Sequence, residues 1–144
     1  MFKQLISVLF ISAIIFSTSF AATATLTQQA ERGDRFAAYQ LATEYDNQTT
    51  DTENSQKLAV KWYEKSAEAG FETAQMKLAF KYALGHGTEK NMQKAYTWFA
   101  VAAAGGNETA IAYREKAKLE LNEKQLTEAD SLAKVWIDKF ATKK

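Results

Sequence analysis

Residues 74–106 read AQMKLAFKYALGHGTEKNMQKAYTWFAVAAAGG, and the same wording returns on either side of them. Gly33-x-x-x-Ala37, Gly70-x-x-x-Ala74 and Gly106-x-x-x-Ala110 recur at offsets of 37 and then 36 residues. Leu41, Ala42 and Tyr45 match Leu78, Ala79 and Tyr82. Further on, Ala59-x-x-Trp62-Tyr63-x-x-Ser66-Ala67-x-x-Gly70 matches Ala95-x-x-Trp98-Phe99-x-x-Ala102-Ala103-x-x-Gly106. A period in this range marks a solenoid built from stacked helix pairs.

The residue types explain why such pairs form. Ala37, Leu41 and Tyr45 lie four apart, and Ala42 widens them into one apolar stripe along a first helix. Trp62, Ser66 and Ala67 do the same along a second helix, predicted to begin near Asn54 or Ser55. Asn91 is the expected N-cap of the equivalent helix in the next unit. Small residues at recurring places let helix axes approach, and Trp and Tyr fill the space between layers. Gly70 and Gly106 fit the position just past a helix end, where a positive φ suits glycine. Gly85-His86-Gly87 is expected to make the tight turn inside the second pair. The absence of proline and the abundance of Ala, Leu, Lys and Glu favour helices throughout.

These residues resemble Sel-one-like repeats, relatives of the tetratricopeptide repeat. Their pattern is A-x-x-x-L-[GA]-x-x-Y-x-x-G-x-G-V-x-x-D-x-x-K-A-x-x-W-[YF]-x-x-A-A-x-x-G. Residues 74–106 match it at Ala74, Leu78, Ala79, Tyr82, Gly85, Gly87, Lys94, Ala95, Trp98, Phe99, Ala102, Ala103 and Gly106. Thr88 and Asn91 replace its valine and aspartate. The first unit departs further: residues 46–54 hold no glycine, and one extra residue separates its tyrosine from its tryptophan.

The expected architecture is all-α, an α-α solenoid of about two and a half helix-turn-helix repeats with N- and C-terminal capping helices. Residues 22–32 read as an N-terminal cap, 33–70 as repeat 1, 71–106 as repeat 2, and 107–144 as a partial repeat with a closing helix. Asn122 and Gln125 form a predicted capping box for that last helix, whose apolar stripe runs Ala129, Leu132, Ala133 and Trp136. An open solenoid end exposes apolar surface unless it is capped in this way.

The first residues read as an export signal. Lys3 is the only charge before Glu31, and Leu5 to Phe16 is apolar except for Ser7 and Ser12. Small residues follow, with cleavage expected after Ala21 and, as second choice, after Ala24. Loss of Lys3 with residues 1–21 leaves 17 basic and 17 acidic residues, so no net field attracts nucleic acid or an anionic membrane. The expected location is periplasmic or secreted. The competing reading is an uncleaved anchor, since Leu5 to Ala24 is 20 uncharged residues.

Catalysis has little to draw on. One histidine and no cysteine remove Cys-His pairs and the usual zinc sites, and no nucleophile-elbow motif is present. His86 between two turn glycines reads as an exposed turn residue. The polar run from Asp46 to Asn54 lacks the glycine and ligand spacing of an EF-hand loop and reads as a turn. No metal and no cofactor is called for. Cysteine-rich Sel-one-like proteins have been credited with weak β-lactamase activity, but without those cysteines that activity does not carry over. The resemblance implies an adaptor or regulator that binds a protein or peptide partner in the cell envelope. The rivals are an enzyme acting on peptidoglycan or a β-lactam, and a structural subunit held by an uncleaved anchor.

One surface is a candidate for the partner. On the first helix of repeat 1, Phe36, Tyr39 and Thr43 fall together, away from the consensus stripe. Their equivalents in repeat 2 are Thr73, Met76 and Phe80. In tetratricopeptide folds this side of the first helices lines a peptide-holding groove, so the resemblance implies a similar use here. The alternative is that these side chains pack on residues 22–32 or on neighbouring repeats as ordinary core.

Overall fold

The computed structural model describes residues 23–142. Among them are seven helices and no strand: α1 (residues 23–31), α2 (Arg35–Asp46), α3 (Thr52–Glu68), α4 (Glu72–Leu84), α5 (Met92–Ala104), α6 (Glu108–Lys118) and α7 (Glu123–Ala141). The proposed leader, residues 1–21, and its first-choice cleavage point after Ala21 lie outside the described residues, whereas the second choice, after Ala24, falls within α1. Among the described residues no helix is long and apolar enough to cross a membrane.

The helices pack as the repeat requires. From α2 to α6 each lies against the next, so α2/α3 and α4/α5 are the two helix pairs. The recurring small residues sit where layers meet: Ala42, Ala59, Ala67, Ala74, Ala79 and Ala95 are all fully buried. Tyr63, Phe99, Leu41 and Leu78 are the largest side chains closed off among them. Ser66 stands where repeat 2 has Ala102; it is fully buried and donates to the Arg35 carbonyl at 2.7 Å. That bond removes the cost of burying a hydroxyl. N-terminal α1 closes one end, with Ala30 buried and Leu26 packed on the core.

The predicted caps form. Asn91 accepts from the Lys94 amide, and Asn122 with Gln125 makes a reciprocal capping box at α7. Gly70 and Gly106 both adopt a positive φ. Repeat 1 differs from its prediction: α3 begins at Thr52, ahead of Asn54 and Ser55. Asp51 precedes it in the left-handed region at φ 49°, which explains how the chain reverses there without glycine. The Asn54 amide grips the Asp51 carboxylate at 2.9 and 3.1 Å, so the turn is braced by side chains.

The C-terminal helix packs on the second helix of repeat 2. It does not pair closely with α6 but runs alongside α5 in the same direction. Gln93 donates to Glu128, Tyr96 to Asp130, and Trp98 meets Trp136 at 5.2 Å between ring centroids. The stripe it buries is Ala129, Ala133, Trp136, Ile137 and Phe140; Leu132, assigned to that stripe from sequence, is 52% exposed. The cause is geometric: choosing α5 rotates the buried arc toward residues 137 and 140, leaving Leu132 on its flank.

The turn between α4 and α5 shows how tightly the repeats abut. At Gly87, φ is +75° and a Cβ would stand 2.2 Å from the Gln56 carbonyl oxygen in α3. At Gly106, φ is +99° but the same Cβ would meet nothing within 4 Å. Gly106→Ala should therefore cost only backbone strain, roughly 1–2 kcal/mol. Gly87→Ala must also push two repeats apart and should cost clearly more. Thermal melts of the two variants check this, and equal losses would mean the turn does not bear on α3.

Candidate functional site

The six residues assigned to the partner face fall into two clusters, each completed by residues outside the assignment. In the first, Phe36 meets Phe71 edge-on at 6.1 Å, and Tyr39 lies 5.0 Å from Phe71 and 5.9 Å from Tyr63. Phe36 remains 55% exposed. Thr43 is half-buried, donates to the Tyr39 carbonyl and stands 3.5 Å from the Tyr63 hydroxyl. In the second, Phe80 packs at 4.6 Å on Tyr113 and at 5.2 Å on Phe99. Met76 is half-buried against the core, and Thr73 is exposed. So the assigned face is part ledge and part wall: Phe36 and Thr73 stand out, while Tyr39, Thr43, Met76 and Phe80 lean on neighbouring helices.

Sequence reasoning missed Phe71 and Tyr113. Phe71 directly follows a turn glycine, at the place where the next unit has the capping Asn107, so an aromatic there was itself a signal. Tyr113 belongs to α6, beyond the matched motif, and only the fold brings it to Phe80.

Beside the first cluster lies a polar network that no periodic reading reveals. Lys81, on α4, is 8% exposed and reaches the Asp46 carboxylate and the Gln56 side-chain oxygen. Gln56 in turn donates to the Asp46 carbonyl at 3.1 Å, and the Tyr63 hydroxyl donates to the Asp46 carboxylate at 3.3 Å. Burial pushes the Tyr63 phenol up to about 12, so it stays a neutral donor. Burial also works to raise the Asp46 carboxyl, but Lys81 outweighs it, helped by Gln56 and Tyr63, and holds the group below the ordinary carboxylate value. The network ties α2, α3 and α4 together, repeat 1 to repeat 2.

A cleft of about 690 Å³ opens beside it, with Glu53 and the exposed His86 on its walls. His86 is the turn residue expected, flanked by two left-handed glycines. Among the described residues no group of three or more His, Asp or Glu side chains comes together, and every fully buried side-chain polar atom has a partner. The geometry of this region fits a structural lock between repeats, and the aromatic clusters fit contact with another chain.

Comparison with known proteins agrees with this reading of the fold. The Sel1 repeat profile matches residues 35–71 and 73–107, together half of the chain. Among solved structures, the chain is similar to c5321, described as a protective antigen present in uropathogenic Escherichia coli strains and displaying an SLR fold. The TM-score is 0.72 at 27% identity, over 85% of this chain but only 26% of that one. It is also similar to a Sel1 repeat protein from Oxalobacter formigenes, with a TM-score of 0.54 at 26% identity, over 75% of this chain and 96% of that one. The chain thus spans about a quarter of the c5321 protein. No curated protein matches. Sel1 repeats generally serve as non-catalytic scaffolds for protein–protein interaction. The two matched repeats, with the helix pairs they predict, place this chain in the Sel1 repeat family.

Proposed function

We propose that this chain is an exported adaptor or regulator of the cell envelope, periplasmic or secreted after loss of residues 1–21, that binds a protein partner through a peptide segment. The observation that carries the proposal is the aromatic cluster at α2: Phe36, 55% exposed, projects into solvent from a cluster with Tyr39 and Phe71, and a second cluster of Phe80 and Tyr113 joins α4 to α6. Aromatic anchors beside exposed apolar surface are what a partner's extended or amphipathic segment recognises. Support for export comes from the leader-like residues 1–21. That the similar c5321 protein is described as a protective antigen fits the same reading.

Crosslinking inside cells tests both parts. A photoreactive phenylalanine analogue placed at Phe36 should give one discrete adduct. The same analogue at Lys57, whose side chain is 59% exposed on α3, should give none. Intact mass of the product should show a start at Ala22. Equal adducts at both positions, or a full-length membrane-embedded product, would remove the reading.

A further inference from the structure

The polar lock of repeat 1 has no counterpart in repeat 2, and its place is an open apolar pocket. Shifting Asp46 by 37 residues, and Gln56, Tyr63 and Lys81 by 36, lands on Ala83, Met92, Phe99 and Ala117. All four of these line one cavity of about 460 Å³ between α4, α5 and α6. Where repeat 1 holds a lysine against an aspartate, the equivalent positions are two alanines, and nothing among the described residues fills the space they leave. The floor is Met92 and the ring trio Phe80, Phe99 and Tyr113, with Phe99 and Tyr113 stacked at 5.5 Å. At the mouth Leu84 is 61% exposed.

Two lysines and one glutamate stand on the lining, Lys90, Lys116 and Glu120, leaving one excess positive charge. Lys90 is bridged to Glu120 at 3.2 Å. Lys116 meets no carboxylate among the described residues, and its ammonium lies over the Tyr113 ring, 4.9 Å from the centroid. A ring face holds a cation without neutralising it. An apolar group entering the pocket would thus find a positioned positive charge beside it, the lining's one acid, Glu120, being held by Lys90.

We propose that this pocket receives a large apolar side chain, aromatic or aliphatic, of an acidic partner peptide, with a neighbouring carboxylate of that peptide on Lys116. The assignment rests on the adaptor reading and names its partner class. It adds a second anchor point at the turn end of repeat 2, distinct from Phe36. The vacated lock supplies the cavity, and the unneutralised lysine supplies the sign of the ligand.

The test uses the chain from Ala22 onward and two synthetic tripeptides, acetyl-Glu-Phe-Glu-amide and acetyl-Lys-Phe-Lys-amide, followed by amide chemical shifts. The acidic peptide should perturb Leu84, Met92, Tyr113 and Lys116 and bind about fivefold tighter than the basic one, as one exposed ion pair permits. Lys116→Gln should abolish that preference while leaving the residual binding of the phenyl ring. Ala83→Asp with Ala117→Lys rebuilds the repeat 1 lock and should abolish binding of both peptides. If that pair fails to fold, Ala117→Leu fills the same space without buried charge and should have the same effect on binding. Shifts centred elsewhere, an unchanged preference in Lys116→Gln, or undiminished binding to the filled pocket would overturn the proposal. So would decanoate binding there while neither peptide does, since that marks a small-molecule site. Failure here with a discrete Phe36 adduct in cells leaves the adaptor reading standing; binding here with equal adducts at Phe36 and Lys57 removes that reading and leaves the pocket's peptide binding in place.

Discussion

Replacing Trp98 with alanine should lower the unfolding free energy by about 3–5 kcal/mol, the usual cost of truncating a buried large aromatic. Trp98 is 7% exposed and stands on α5, which packs against α4, α6 and α7. Its ring lies 5.2 Å from Trp136, so truncation opens the seam that holds the C-terminal helix. Domains of this size are stable by only about 5–15 kcal/mol, so the variant should be close to unfolding at physiological temperature. Trp136→Ala makes the informative control. Trp136 is only half-buried, so its loss should free α7 while the two repeats remain folded. Denaturant titration, with proteolysis of the last helix as a second readout, distinguishes the two. A loss below about 1 kcal/mol for Trp98→Ala would mean that the α5–α7 seam does not hold the end of the solenoid.

The helices of this protein were legible because each repeat states the same local rules twice. Ala37 with Leu41, the left-handed glycines at 70 and 106, and the Asn91 cap all depend on residues a few positions apart. Lys81 was not legible. On a helix surface a lysine reads as solvated, and it is buried here because Asp46, 35 residues earlier, supplies the opposite charge. The direction of α7 was hidden for a related reason. Its stripe from Ala129 to Trp136 declares an apolar face but not which helix will receive it. The candidate site was legible in part: Phe36 projects, whereas Phe80 is drawn inward by Tyr113, a residue of α6 that the repeat pattern does not include. The empty pocket appears only when the two repeats are superimposed and their differences are read, because the shared letters conceal it.

Asp46→Ala should cost about 2–3 kcal/mol at neutral pH, less than the roughly 3–5 kcal/mol of a fully buried ion pair, because the Asp46 side chain keeps 22% of its exposure. What remains is Lys81, 8% exposed, whose ammonium has only the Gln56 oxygen to receive it. Changing both partners, Asp46→Ala with Lys81→Met, should cost less than Asp46→Ala alone, since it removes the unpaired charge and leaves the site apolar. A double-mutant cycle reads that coupling directly. The pH dependence follows from the carboxyl's direction of shift. Its folded value lies below the ordinary 3.8, so the folded state releases this proton more readily than the unfolded chain. The pair's contribution is therefore complete above the unfolded value and is lost as pH falls through the folded one. The stability gap between wild type and Asp46→Ala should hold steady from pH 7 to about pH 5 and narrow below pH 4. Thermal melts across that range measure it. A gap that persists unchanged in acid would mean the carboxylate charge contributes nothing, leaving Lys81 held by Gln56 and by packing alone.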